Sequence, residues 1–386
     1  MVPDIDPQRP GAPAPGSAAE GPVPRQLLPL GSDSRSVRGL KWVFFGNQGL
    51  RAGWSVAVFL TLNSICARIV SRVFVTFIPD LWKAPLSLDV VLLREMIPFL
   101  GILAAAAIVA RIEHRNILAF NLTGPRRMLY FLSGLAAGLA AVSALMGAIA
   151  WSGWLHFGPI ALSGTGIFKA GAIWAVALLF LGCTEEGEFR CYLQFTLTRG
   201  INFWWALGIV AVLLLYAMFR VTDPGVRGVH VIALLGLVPC LLLHVNKRQG
   251  SGFWQACWVT STLFGFGHIG NGGSWIYILA MGAFGFLLCV SVRVTGSAWW
   301  AIGCHTSWNW ADIFVFGTLY GHSPAPGHLL TTSTIGSSVW SGGTMYPEGS
   351  PLVFGVLLLL LIVLLVFHGR KKSTALRAHA TNQSTA

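Results

Sequence analysis

The sequence predicts an all-α polytopic membrane protein, a bundle of about eight to ten transmembrane helices. Three observations carry that prediction. Hydrophobic residues make up 54% of the 386-residue chain, only 10% are charged, and the mean hydropathy is +0.67. A water-soluble globule carries about 25% charged residues, so this chain lacks the polar surface to dissolve. The 16 Trp and 45 Gly suit interface-anchored, closely packed membrane helices. A soluble enzyme, a secreted disulfide scaffold and a disordered chain are excluded at this step.

The elements follow in order. Residues 1–40 hold eight prolines in their first 29 positions, and no apolar run long enough for a signal peptide, so they read as a disordered cytoplasmic tail. A bilayer core needs about 20 apolar residues per helix. Segments of that kind lie at 52–78, 92–111, 128–153, 168–198, 201–220, 228–245, 252–271, 274–292, 298–317 and 351–367. The first is the least clean, because Arg68 and Arg72 lie within it. The organisation expected is N-terminal membrane helices over 41–167, a catalytic core over 168–317 and an external loop over 318–350. A last helix with a basic tail follows over 351–386.

The net charge of +12 sits in loops and at the chain ends, where it signals topology rather than nucleic-acid binding. Arg35, Arg38, Lys41 and Arg51 precede the first segment, and Arg370, Lys371 and Lys372 follow the last. Both termini are therefore expected in the cytoplasm, in a plasma (inner) membrane, with an even number of spans. The loops 154–167 and 318–350, expected outside, contain no Lys or Arg. The loop near 221–227, flanked by Arg220 and Arg227, is discordant. The seven cysteines lie in apolar stretches without a C-x-x-C pair and read as buried small hydrophobes.

Acidic residues are scarce, yet three of the seven glutamates, Glu185, Glu186 and Glu188, fall within one membrane segment. A carboxylate at the bilayer centre costs about 2.5–3.5 kcal/mol even on insertion scales, and usually lines a cavity. Arg190 lies at i+4 from Glu186, so a helix-packing ion pair accounts for those two residues. It leaves Glu185 unexplained, about 140° round the helix from Arg190. His268 closes the aromatic, glycine-rich run Phe264 to His268, and His305 and Asn309 lie at i and i+4 on one face. Either histidine alone reads as a satisfied core residue. Together, a carboxylate, two imidazoles and a carboxamide on three helices form a set able to activate water and hold an oxyanion.

These residues also resemble a known family. Glu185 to Arg190 resembles its EExxxR motif, Phe264 to His268 its FxxxH, and His305 to Asn309 its HxxxN. In that order, each on an apolar helix, they are similar to the signature of the CPBP (Abi) intramembrane proteases, whose eukaryotic relatives are the type II CAAX prenyl endopeptidases. The resemblance covers residues 168–317. It implies a membrane-embedded endopeptidase acting on a membrane-associated peptide or protein. Glu185 would be the base that activates water, with His268 as its partner. His305 and Asn309 would hold the oxyanion, and Glu186 and Arg190 would orient the site. A zinc ion, the cofactor sometimes ascribed to the family, would suit one Glu with two His. The sequence has no H-E-x-x-H to make it the default, so the metal stays open.

The chain departs from the family pattern in two places. Cys191 stands where Gly usually follows the motif arginine. Glu186 and His268 are 82 positions apart, a surplus that holds an apparent inserted helix pair near 201–245. Helical rise from the nearest basic residue puts Glu185 about 21 Å deep, His305 about 18 Å and His268 about 30 Å. That mismatch predicts a helix 252–271 that starts late, around Trp254, or is tilted. Two other functions remain open: a non-catalytic protein of the same fold, in immunity or complex assembly, and a proton-coupled transporter. The missing internal repeat speaks against the transporter.

Overall fold

The computed structural model describes residues 43–46 and 49–369. The Pro-rich tail 1–40 and the basic segment 370–386 lie outside the described residues. The chain divides at Gly46, and the fold below is that of the unit Gly46–Ala386.

Helices occupy all ten predicted segments. In chain order they are α1 (Ala52–Phe77), α2 (Leu88–Ile112), α3 (Arg127–Trp151), α4 (Thr165–Gly200), α5 (Phe203–Arg220) and α6 (Val226–Val245). Then come α7 (Ser251–Gly267), α8 (Trp275–Thr295), α9 (Trp299–Asn309) and α10 (Leu352–Gly369). Their composition makes them helical in lipid, where every backbone N–H and C=O must be satisfied within the segment. Seven of them, α1, α2, α3, α4, α6, α8 and α10, are long and apolar enough to cross a membrane, which makes this an integral membrane protein. Arg68 and Arg72 do not break α1, which runs 26 residues unbroken with both exposed.

The other three are shorter, and two of these carry motif residues. Helix α7 does not start late: it begins at Ser251, after Gly250 turns the chain in the left-handed region (φ 82°). It ends at Gly267, so His268 is its C-cap rather than an interior residue, and a 3-10 turn covers Ile269–Asn271. Helix α9 is α-helical for 11 residues and then widens into a π segment, Trp310–Val315.

Close backbone contact fixes where α9 lies. Gly134 and Gly138 of α3 form a small-xxx-small face of the kind that lets membrane helices approach closely. A Cβ on Gly134 would lie 2.3 Å from Trp300 O, one on Gly138 2.2 Å from Cys304 O, and one on Gly303 2.2 Å from Phe131 O. On its other side α9 meets α4, where Gly182 faces Thr306. Helix α9 is thus wedged between α3 and α4, with Trp300, Ala301, Cys304 and His305 buried.

The expected inserted pair is part of the bundle rather than an appendage. Helix α6 packs on α7 and α8: Gly236 sits against the Trp258 ring, and Trp258 Nε1 donates to Ala233 O at 3.0 Å. The segment 318–350 is folded. Leu330–Thr334 pairs antiparallel with Leu155–Ile160, Leu319–Tyr320 pairs with Ser323–Pro324, and Gly343–Gly349 forms a 3-10 helix. The seven cysteines are free, and all but Cys183 are buried.

Candidate active site

Helix α4 places the glutamates. It is α-helical to Glu186 and then passes through a π segment, Gly187–Leu193, before resuming as Gln194–Gly200. Single π turns inside α-helices occur frequently at functional sites. Here one begins directly after the paired glutamates, and another directly after Asn309.

Glu186 is fully buried and its two oxygens have separate tasks. Oε1 lies 2.8 Å from His305 Nδ1, and Oε2 lies 3.3 Å from Arg190 Nε. The ion pair expected from the i, i+4 spacing is present. Arg190, 1% exposed, is also held by Gly285 O at 3.0 Å and lies over the Phe264 ring at 4.6 Å. A larger residue at 285 would crowd the guanidinium, since a Cβ there would lie 3.1 Å from Nη2. The guanidinium and the imidazole N–H keep a carboxylate tolerable in a low-dielectric interior.

Glu185 faces another way. Its side chain is 27% exposed, and Oε2 lies 3.8 Å from His305 Nε2. That oxygen has no hydrogen-bond partner among the described residues. His305 therefore stands between the two glutamates, with Nδ1 on Glu186 and Nε2 towards Glu185. Because Nδ1–H donates to a carboxylate, the tautomer is set and Nε2 is left to face the reacting groups.

His268 is oriented by its own helix. Its Nδ1 lies 2.7 Å from Phe264 O, and a carbonyl can only accept, so Nδ1 carries the proton and Nε2 is free. It makes no hydrogen bond to Glu185; the imidazole beside that carboxylate is His305. Glu185, His268, His305 and Asn309 nevertheless all line one cavity of about 200 Å³. Glu186 and Arg190 stand behind its wall.

Further lining residues escaped the sequence reading. Asp312, Trp308, Tyr277, Tyr320 and Glu348 share the cavity. Asp312 had a signal, since it follows His305 and Asn309 at helical spacing on one face. Glu348 had none, because only the folding of 318–350 brings it in. Trp308 Nε1 donates to Glu348 Oε1 at 2.8 Å, and Tyr320 OH donates to Glu95. Burial pushes the Glu348 carboxyl above its usual range, against the pull of the Trp308 donor. Of the loop histidines read as solvated, His328 is half-buried with Nδ1 2.6 Å from Ala325 O.

A metal would need several of these donors to converge on one point. Among the described residues, no three His, Cys, Asp or Glu side chains stand together closely enough to hold one. The imidazoles and Glu185 wall a shared space without forming a cradle, and no step is assigned to a metal.

Residues 240–311 match the family model described as type II CAAX prenyl endopeptidase Rce1-like. The match spans the FxxxH and HxxxN helices and begins at the end of α6. Neither the curated proteins nor the solved structures give a match. Over residues 240–311, which hold two of the three motifs, the chain is thus similar to the type II CAAX prenyl endopeptidases.

Proposed function

We propose that this protein is an intramembrane endopeptidase in which Glu185 activates water against a peptide bond of a membrane-associated substrate. The observation that supports the reading is that Glu185, His268, His305 and Asn309, from three separate helices, line one cavity. Glu185 is exposed enough to meet water and has an unengaged oxygen. It takes one proton from the water as the oxygen attacks the carbonyl carbon. The oxyanion that forms receives a hydrogen bond from the Asn309 carboxamide, with His305 standing beside it. Glu186, on Nδ1 of that imidazole, fixes its orientation. When the C–N bond breaks, Glu185 returns its proton to the leaving amine. His268 offers Nε2 as a further hydrogen-bonding group at the cavity wall.

The test is incubation of the purified protein, beside Glu185→Gln, with a tagged membrane-proteome extract. New termini should form with the wild type and fall by about 10²–10⁴-fold in the variant. Asn309→Ala should lower turnover by about 10²–10³-fold with affinity retained, as loss of one oxyanion donor does. Equal termini from the wild type and Glu185→Gln would end this reading.

A further inference from the structure

The cavity also holds a chemistry that peptide hydrolysis does not use. Asp312 and Glu348 are each 8% exposed and line the same cavity. Glu348 has the Trp308 indole N–H as donor. Asp312 Oδ1 is buried and has no hydrogen-bond partner among the described residues. Burying a carboxylate oxygen without a donor is costly, so an unpaired one on a residue that lines a cavity marks a place for a donor from a ligand.

The surroundings specify what kind of donor. No Lys or Arg lines the cavity. The nearest guanidinium groups are engaged: Arg190 with Glu186, and Arg94 with the carbonyls of Leu81, Trp82 and Ala84 at 3.2, 3.0 and 3.2 Å. The segment 318–350, which brings Glu348, contains no Lys or Arg that could swing in. Three aromatic side chains, Trp308, Tyr277 and Tyr320, share the wall with the two carboxylates. Buried carboxylates beside aromatic faces suit an organic cation, which gains charge-assisted hydrogen bonds from the former and cation–π attraction from the latter.

We infer that Asp312 and Glu348 form a cation subsite that receives the ammonium or guanidinium group of a Lys or Arg side chain of the substrate. This inference rests on the protease reading for the substrate's identity, but not for the site's affinity. A basic side chain held there would place its own peptide bond, or one close to it, beside Glu185. The subsite would thus select where the chain is cut.

The experiment has a binding arm and a cleavage arm. In the binding arm, n-butylammonium, n-butylguanidinium and n-butanol are titrated into purified full-length protein, and the melting temperature is followed. The two cations should raise it saturably and the alcohol should not. The effect should persist in Glu185→Gln, weaken at least about tenfold in Asp312→Asn, and vanish in Asp312→Asn with Glu348→Gln. If the double variant does not fold, the isosteric single variants carry the comparison. Equal stabilisation by cation and alcohol, or a cation effect unchanged in Asp312→Asn, would overturn the subsite. In the cleavage arm, Glu185-dependent termini should be enriched for Lys or Arg near the cut, and Asp312→Asn should lose the enrichment. A cut-site pattern without basic residues would overturn the substrate assignment. Saturable cation binding without Glu185-dependent termini would instead refute the protease reading and leave the subsite standing.

Discussion

Substitution of Gly138 by Ala tests whether the position of α9 controls catalysis. A Cβ at 138 would meet Cys304 O at 2.2 Å and Ser307 Oγ at 2.3 Å. Non-bonded heavy atoms settle at about 3.5–4.0 Å, so relief requires α3 and α9 to part by roughly 1 Å. Backbone is on the far side of the contact, and no side-chain rotation removes it. Such overpacking should cost about 1–3 kcal/mol of stability. The displaced helix carries His305 next to Cys304 and Asn309 one turn on, and a shift of about 1 Å in reacting groups lowers rates by ~10²-fold. The control lies on the same helix: a Cβ on Gly147 meets nothing within 4 Å. Gly147→Ala should therefore match or exceed the wild type in stability, since Gly in a helix costs about 0.5–1 kcal/mol against Ala. The assay pairs thermal unfolding of both variants in detergent with Glu185-dependent cleavage. A Gly138→Ala protein as stable and as active as Gly147→Ala would refute the claim that this contact sets the site.

Four further outcomes follow from the geometry. Glu186→Gln leaves Arg190 buried without its ion partner and removes the carboxylate from His305, so it should lose about 3–5 kcal/mol of stability, read by unfolding. A stable but inactive Glu186→Gln beside an active Glu185→Gln would reverse the roles of the two glutamates. Burial raises the Glu348 carboxyl above its unfolded value, so the folded state holds that proton more tightly. Its contribution is complete below the unfolded pKa and is lost as pH rises through the folded one; Glu348→Gln should flatten that decline in a melting curve series. Dialysis against a zinc chelator should leave cleavage intact, because the donors form no metal cradle; loss of activity restored by added zinc would show otherwise. Reporters fused after residues 160 and 335 should read as external, and those after 248 and 375 as internal; an external reading at 375 would refute the even-span topology.

Composition by itself determined that the chain is a helical membrane protein, because in lipid an apolar segment of sufficient length can satisfy its backbone only as a helix or a closed barrel. All ten segments were legible for that reason. So were Glu185, whose charge in an apolar run the ion pair does not explain, and the i, i+4 pair of Glu186 with Arg190. The histidines were legible through their motifs. What the sequence left undecided is which groups meet. His305 rather than His268 stands beside Glu185, since His268 caps α7 and turns Nδ1 to Phe264 O. Asp312 and Glu348 share a wall because a folded segment returns to the end of α9. Residues on separate helices acquire distances only when the helices pack. Here that packing is set by glycines such as Gly138 and Gly303, whose lack of a side chain is visible in the sequence but whose contact partners are not.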